Sequence, residues 1–368
     1  MKRLSLLMTL VCLALVVTAA AQTGDSKKAK GTAKAKDSRA ELDALINKLG
    51  KTPPDWFQAT KVNYPPTLDL TWPEKPEGGW NNQKNVGQFL WDVINPNPGR
   101  WREGVKLMHQ LLTTHQKDPV KREKIMLTLA NLYHNLIEDY GRAAFWYRAV
   151  GVEKDPEEYA RSAVILAECY WRLGYPGEAK ALLAKVPGGL THAKLLGDMG
   201  EADRSIEMAL ANEDSQGYAH LTAGDACRQV GRYPEAVTHY QKVINLAQQA
   251  KDPPGRLTQN QKRAIANIEA IRLFELFDPK QVPDGKYTSD SQGYEGPVEV
   301  TVSVQRGRIG SVNVTRHREK QFYSAMTDTP AKIIAKQHVK GVDTTSNATI
   351  TSEAIVNATA KALGEKKK

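Results

Sequence analysis

The stretch that decides the C-terminal fold is Asp343-Thr-Thr-Ser-Asn-Ala-Thr-Ile-Thr-Ser352, which is rich in small residues and hydroxyls. It runs directly into Glu353–Leu363, where small or apolar residues recur with the spacing of one helix face, at Ile355, Ala358, Thr359, Ala362 and Leu363. We expect Thr351 or Ser352 to cap this helix, with Glu353 in its first turn. A hydroxyl just upstream would then lie beside unpaired backbone N–H groups, where a phosphate binds well.

Upstream of this stretch the sequence predicts a β-hairpin followed by a helix. Val298–Val304 alternates valines with polar residues, as a half-buried strand does. Gln305–Arg308 supplies the turn and Ile309–Thr315 the returning strand. A helical segment is expected over Pro330–Gln337. This combination predicts a small α+β domain at the C-terminus.

Several motifs in this region resemble, in their order, the FMN-binding domain shared by subunits of the sodium-pumping NADH:quinone oxidoreductase and the Rnf electron-transfer complex. They are Gly-Tyr-x-Gly-Pro at Gly293–Pro297, the hairpin, His-x-Glu at His317–Glu319, a helix, and a relative of Asp-x-x-Ser/Thr-Gly-Ala-Thr at Asp343–Thr349. The resemblance covers residues 284–364. Asn347 stands where the family usually has glycine, and asparagine is the non-glycine residue that best tolerates positive φ.

The resemblance implies that Thr349 is the covalent anchor of FMN. In that family a flavin transferase joins the threonine oxygen to the FMN phosphate as a phosphoester. Ser346, Ala348 and Thr351 are then implied to shape the loop and to offer hydroxyls to the phosphate. Asp343 is implied to fix the loop and to assist recognition by the transferase.

Four further residues are implied by the resemblance to belong to the cofactor site. His317 and Glu319 either border the flavin or pair with each other at the strand end. Gly293 allows close approach of the backbone. Tyr294 lies against the isoalloxazine ring or, alternatively, covers the core as an aromatic residue of an edge strand.

The N-terminal residues predict export followed by a flexible tether. Met1-Lys-Arg3, an apolar run and Ala19-Ala-Ala21 form the pattern of a secretory signal peptide over residues 1–21. An uncleaved membrane anchor is the alternative, although the apolar run is short for a full span. Residues 22–39 read as a Lys/Ala-rich flexible linker. Most of the net charge of +10 lies in these segments and in the basic tail 365–368.

Two segments are expected between the linker and the hairpin. Residues 40–100 begin with a short amphipathic helix and continue as an aromatic and proline-rich wrap that caps its neighbour, with a carbohydrate- or peptide-binding aromatic strip as the alternative. Residues 101–280 predict an all-α tetratricopeptide-like helical repeat array, with an irregular bundle as the alternative. Few contacts are expected to cross the boundary between Pro279 and Gly285. The repeats align on a small residue, an apolar one four positions later and a small or aliphatic one seven later: Ala143, Tyr147 and Val150; Ala179, Leu183 and Val186; Ala202, Ile206 and Ala209; Ala236, Tyr240 and Val243.

Other classes of site find no support in the sequence. Cys169 and Cys227 fall in the first helices of different repeats, so buried free thiols are expected rather than a disulfide. His134 is expected to be a partly exposed surface residue. The sequence contains no Cys-x-x-Cys-His, no His-Glu-x-x-His and no Gly-x-Ser-x-Gly, so no metal site or catalytic residue is assigned. No basic helix interleaved with aromatic residues suggests a nucleic-acid partner.

The sequence therefore predicts a multidomain protein in which a helical repeat array precedes a small α+β FMN-binding domain. Its expected role is that of an exported, periplasmic or extracytoplasmic flavoprotein that relays electrons through FMN. The repeats would dock a redox partner, such as a cytochrome or a membrane electron-transfer complex. One alternative is a non-redox interaction scaffold with an unloaded flavin domain. Another is a flavin-dependent reductase of a small-molecule acceptor.

Overall fold

The computed structural model describes residues 38–72, 79–212, 216–274, 278–319, 323, 325–342 and 348–364. The expected signal peptide, most of the linker, the basic tail and the motif residues Asp343, Ser346 and Asn347 lie outside the described residues. Among the helices so described, none combines the length and apolar character needed to cross a lipid bilayer.

Within these ranges the chain forms fourteen α-helices and three β-strands. The helices are α1 Ser38–Lys51, α2 Val86–Phe89, α3 Trp101–Thr114, α4 Pro119–Leu132, α5 Tyr140–Val150, α6 Ala160–Arg172, α7 Pro176–Leu183, α8 Leu190–Asp198, α9 Ala202–Leu210, α10 Tyr218–Gln229, α11 Tyr233–Gln249, α12 Gly255–Phe274, α13 Ala325–Lys336 and α14 Thr349–Gly364. The strands are β1 Gly285–Gln292, β2 Pro297–Gln305 and β3 Arg308–Arg316. The predicted fold class, a helical repeat array followed by a small α+β domain, is confirmed.

The repeats are the helix pairs α4/α5, α6/α7, α8/α9 and α10/α11, each packed as a hairpin. Most of the residues used for the alignment are buried. In every repeat they lie in the second helix of the pair or just after it. Small residues recur because the helices approach closely. A Cβ atom on Gly224 of α10 would lie 2.6 Å from the ring of Tyr240 on α11. The pair α8/α9 is short, with nine residues in each helix.

Polar groups also occur inside the array. Cys169 and Cys227 are buried free thiols, as expected. The expectation for His134 is wrong, because its ring is buried with Nε2 3.3 Å from Oε2 of Glu168 on α6. Burial alone would lower the pKa of His134, but the Glu168 carboxylate raises it. The partner comes from a different repeat, so spacing within one helix could not reveal it.

The segment before the array lies against its first helices. Helix α1 packs on α5, and Leu68 and Trp72 join the hydrophobic core that includes α3 and α4. Arg39 on α1 contacts Glu153, which follows α5, at 2.6 Å. Trp80 is 64% exposed and Trp91 is 37% exposed, so two tryptophans of this segment reach the surface.

The C-terminal domain contains a three-stranded antiparallel sheet in the order β1-β2-β3. The predicted hairpin is confirmed as β2 and β3. Its two central turn residues, Arg306 and Gly307, both have positive φ (52° and 70°), as a two-residue turn between twisted strands requires. Strand β1 was not predicted, because its polar sequence lacks alternating apolar residues. It forms through backbone pairing with β2 at the edge of the sheet.

Helix α14 differs from the amphipathic helix that the sequence predicted. It begins at Thr349, so Thr351 and Ser352 lie in the first turn rather than capping the helix. Apart from Lys361, residues 351–364 are buried, because α14 lies between the sheet and α12 of the array. Glu353 is therefore inside the protein. A helix buried on all sides must find internal partners for its polar side chains.

Candidate functional site

The start of α14 presents backbone N–H groups towards the loop that precedes it. The carbonyl of the buried residue Ala348 accepts a hydrogen bond from the Ser352 amide at 2.8 Å, which is the first bond of the helix. The amides of residues 349–351 therefore have no acceptor within the helix. The helix dipole adds positive potential at the same end. This end of α14 is suited to binding an anion.

Glu319 fixes the first turn of α14 to the β1–β2 loop. Its side chain is buried, and Oε2 accepts a hydrogen bond from Thr351 Oγ1 at 3.0 Å. Oε1 accepts from the Glu295 amide at 3.2 Å. Burial raises the pKa of Glu319, and these hydrogen bonds oppose the increase. We call this arrangement of Glu319, Thr351 and the Glu295 amide the clasp.

Gly293 belongs to the same arrangement for a steric reason. Its amide donates to the Gly296 carbonyl at 2.8 Å, closing the loop between β1 and β2. A Cβ atom at this position would lie 2.6 Å from Oε1 of Glu319 and 2.7 Å from a methyl group of Val298. Glycine is therefore needed here for the loop to reach the clasp.

The other two residues from these motifs contact different neighbours. The ring of Tyr294 lies under the Arg256 guanidinium of α12, at 5.3 Å, and its carbonyl accepts from the Gln259 side chain. The His317 ring makes an edge contact with Tyr323 at 5.9 Å, and burial lowers its pKa. The structure thus brings Gly293, Glu319 and Thr351 together. The backbone of Tyr294 also hydrogen-bonds the Glu319 carboxylate, and the His317 side chain hydrogen-bonds the Glu319 backbone, whereas the two rings contact Arg256 and Tyr323. The side chain of Thr349 lies outside what the structure describes.

Removing the Thr351 hydroxyl should weaken the clasp. We expect Thr351→Val to lower the free energy of unfolding by about 1–3 kcal/mol, because a buried carboxylate oxygen of Glu319 loses its donor. Urea unfolding measures the change. Thr288→Val is the matched control, since it removes an exposed hydroxyl that bonds to Thr301, and its effect should stay within about 0.5 kcal/mol. Equal losses in both variants would show that the clasp contributes nothing particular.

A cavity of about 560 Å³ lies between the repeat array and the start of α14. Ile350, the second residue of α14, forms part of its wall, and Arg263 and Asp225 form another part. The array supplies the remaining wall, with cationic, amide, hydroxyl and apolar side chains. They are Asn131, Asn135, Arg161, Ser162, Ile165, Leu190, Thr191, Lys194, Tyr218 and Thr222.

A buried ionic network joins the array to α14 beside this cavity. The Arg263 guanidinium of α12 donates to Glu353 Oε2 at 2.9 and 3.0 Å and to Asp225 Oδ2 at 2.5 Å. Burial raises the pKa of Asp225 to about 7, because the opposing effect of the Arg263 cation is offset in part by the nearby Glu353 carboxylate. Burial also acts to raise the pKa of Glu353, but Arg263 and Arg228 bring it below its usual value.

Amide side chains extend this network along α14. Asn357 Nδ2 donates to Asn267 Oδ1 at 2.7 Å, and Arg228 donates to both amide oxygens at 2.9 Å. The expectation that few contacts connect the two domains is therefore wrong. Helices α12 and α14, one on each side of the predicted boundary, pack together over a buried polar and apolar surface.

A second interaction between the domains is electrostatic and joins Glu138 of the array to Asp328 of α13. Glu138 lies after the helical turn Tyr133–Ile137, and its side chain is partly buried. Burial, together with the Asp328 carboxylate of α13, raises the pKa of Glu138 from 4.5 to about 7, and Arg172 opposes the increase.

This shift predicts that Glu138 favours folding at acidic pH. Its folded pKa exceeds the unfolded value, so the stabilisation is complete below about pH 4.5 and is lost as pH rises through about 7. Glu138→Gln should therefore flatten the decrease in melting temperature between about pH 5 and pH 8. Thermal unfolding across this range measures the effect, with the exposed Glu157→Gln as control. Parallel pH profiles for wild type and Glu138→Gln would refute the assignment.

The fold and this site define a helical repeat array that carries a small α+β ligand-binding domain. Residues 293–364 match the family described as FMN-binding domain. Residues 160–185 and 219–254 each match a family described as tetratricopeptide repeat. Both parts of the resemblance inferred from the sequence are confirmed: a C-terminal FMN-binding domain follows tetratricopeptide repeats.

One curated relative shares part of the chain. An uncharacterized protein of Treponema pallidum (strain Nichols) is 37% identical over 87 residues. The aligned region is 23% of this chain and 24% of that protein. The similarity is thus local to a fraction of each protein.

The residues around the start of α14 fit FMN. The N–H groups at the start of α14, which have no acceptor within the helix, suit a phosphate. The adjoining cavity has a volume within the usual range for small-molecule sites, and it combines apolar walls with hydrogen-bond donors. The flavin ring of FMN is flat and apolar with a polar edge, so it matches both kinds of wall.

Sequence reasoning missed the residues that the array contributes to this region. A signal for Arg263 was present, because Asn260, Arg263 and Asn267 recur at helical spacing and form a polar stripe on a buried face of α12. Arg161 and Lys194 carry no such signal. They lie on different helices and come together only through the stacking of the repeats.

Proposed function

We propose that this chain is an exported flavoprotein that relays electrons through FMN covalently attached to Thr349. The observation that carries the proposal is the position of Thr349. It is the first residue of α14 within the FMN-binding domain, and the next residue, Ile350, forms part of the wall of the cavity. A phosphoester at Thr349 would thus place the rest of the cofactor beside this opening.

The chain's own residues hold the cofactor and control its surroundings. The amides of the first turn of α14 bind the phosphate. The clasp keeps that turn fixed against the β1–β2 loop, so the attachment point does not move relative to the sheet. Apolar residues such as Ile165, Leu190 and Ile350 exclude water from one side of the cavity. When bound, the flavin supplies the electron-transfer chemistry, and the protein positions it and tunes its environment.

The repeats have a second role in this proposal, which is to bind the redox partner. Tetratricopeptide arrays form extended concave surfaces because each helix pair is rotated slightly relative to the previous one. A partner held on such a surface would lie near the flavin. Export is supported by the signal-peptide pattern in residues 1–21 and places the electron relay outside the cytoplasm.

Coexpression with a flavin transferase tests the relay. The purified protein should show a flavin spectrum, and chemically reduced protein should be reoxidised stoichiometrically by a protein acceptor such as a c-type cytochrome. Protein that never acquires flavin would instead favour the interaction scaffold. Repeated turnover of a small-molecule acceptor such as a soluble quinone would favour the reductase.

A further inference from the structure

We propose that the isoalloxazine ring binds in the cavity of about 560 Å³ between the repeat array and the start of α14, so that the array forms half of the flavin site. The proposal rests on the proposed function, namely FMN held at Thr349. It assigns flavin contacts to residues of the array, which lie outside the region that matches the FMN-binding family. The principal residues are Asn131, Asn135, Arg161 and Tyr218.

The position of the cavity provides the first argument. Its wall continues from Ile350 at the start of α14 to helices α4, α6, α8 and α10 of the array. The network of Arg263, Asp225 and Glu353 holds α14 against α10 and α12. The attachment point at Thr349 and the cavity are therefore held together by the packing of α14 on the array.

The chemistry of the walls provides the second argument. An isoalloxazine ring has an apolar end and a pyrimidine end, where two carbonyl oxygens and N1 accept hydrogen bonds and N3–H donates one. Ile165, Leu190 and Ile350 supply apolar contacts in the cavity. Asn131 and Asn135 already use their amide oxygens, with Tyr147 Oη at 2.7 Å and His134 Nδ1 at 2.6 Å. Each of these amides keeps its NH₂ group as a donor.

The distribution of charge provides the third argument. Of the cations at the cavity, Lys194 pairs with Asp198 at 2.8 Å, and Arg263 pairs with two carboxylates. Arg161 is exposed and has no hydrogen-bond or ion-pair partner among the residues that the structure describes. Reduction adds negative charge to the pyrimidine end of a flavin. A nearby unpaired guanidinium would stabilise that charge and raise the reduction potential.

Two substitutions in the full-length protein, coexpressed with a flavin transferase, test this inference. Arg161→Gln removes the unpaired charge, and Thr222→Trp places a large side chain in the cavity. Arg122→Gln and Thr238→Trp are matched controls, because both replace exposed helical residues that do not line the cavity. Intact mass gives flavin loading, far-ultraviolet circular dichroism checks the fold, and potentiometric titration and visible circular dichroism report on the ring.

We expect all variants to carry FMN and to keep wild-type helicity. Arg161→Gln should make reduction at least tenfold less favourable, which is about 30 mV for a two-electron couple. Thr222→Trp should change the visible circular dichroism of the flavin, and both controls should match wild type. Loaded variants whose potential and visible spectrum equal those of wild type would overturn the inference and leave the proposed function intact. A wild-type protein without flavin would overturn both.

Discussion

Replacing Arg263 by methionine is expected to lower the free energy of unfolding by about 3–5 kcal/mol. The guanidinium is buried between α12 and α14 and bonds to the carboxylates of Asp225 and Glu353. Methionine fills similar space but leaves two buried acidic groups without their cation. The loss should be smaller in acid, where both carboxyl groups can take up a proton.

Urea unfolding at neutral pH measures this effect. Arg272→Met is the matched control on the same helix, because Arg272 is exposed, and it should change stability by no more than about 0.5 kcal/mol. Adding Asp225→Asn and Glu353→Gln to Arg263→Met should recover part of the loss, since no buried charge then remains. If Arg263→Met proved as mild as Arg272→Met, the network would not be what holds the two domains together.

The second large effect concerns the attachment of the cofactor. Thr349→Ala is expected to abolish covalent FMN while leaving the fold nearly unchanged. A phosphoester needs one particular hydroxyl oxygen, and another residue would move the phosphate away from the first turn of α14. Alanine is well tolerated in helices, so α14 should still form.

Thr351→Val is the matched variant for attachment. It removes a hydroxyl two residues further along the same helix, one that donates to Glu319. This variant should be less stable yet fully loaded, whereas Thr349→Ala should be stable and unloaded. Intact mass spectrometry with in-gel flavin fluorescence separates the two. The reverse pattern, or FMN retained on Thr349→Ala, would move the attachment point elsewhere.

The parts of the fold that were predictable from sequence are those in which local pattern and burial agree. The valines of β2 alternate because one face of the sheet is buried, and Arg306-Gly307 suits the tight turn that follows. The repeats were predictable because the same small and large residues recur where helices approach. Strand β1 was not, since its polar residues show no pattern and it is held by its neighbour.

Helix α14 shows why burial could not be inferred for the site. The stripe from Ile355 to Leu363 was correctly read as one packed face, but the opposite face is covered by α12. That contact depends on polar partners far away in sequence, such as Arg263 for Glu353. The sequence shows that these residues are present, but it does not show that they contact each other in the fold. The cavity was missed for the same reason, because helices α4, α6, α8, α10 and α12 and the start of α14 form it together.

The clasp was predictable only in part. Gly293 and Glu319 were assigned to the cofactor site by resemblance, and the structure places them together with Thr351. Their contacts with one another were not predictable, because they join a loop, a strand end and a helix. These contacts give the three residues the role of holding the start of α14 in place.

The most direct test of the account is the intact mass of the full-length wild-type protein, coexpressed with a flavin transferase and measured after denaturation. We predict an increase equal to one FMN less one water, located by peptide mapping to Thr349. Flavin that copurifies but leaves on denaturation would contradict the covalent link. Denatured protein at its unmodified mass, without flavin at any stage, would contradict the proposal that this chain works as a flavoprotein.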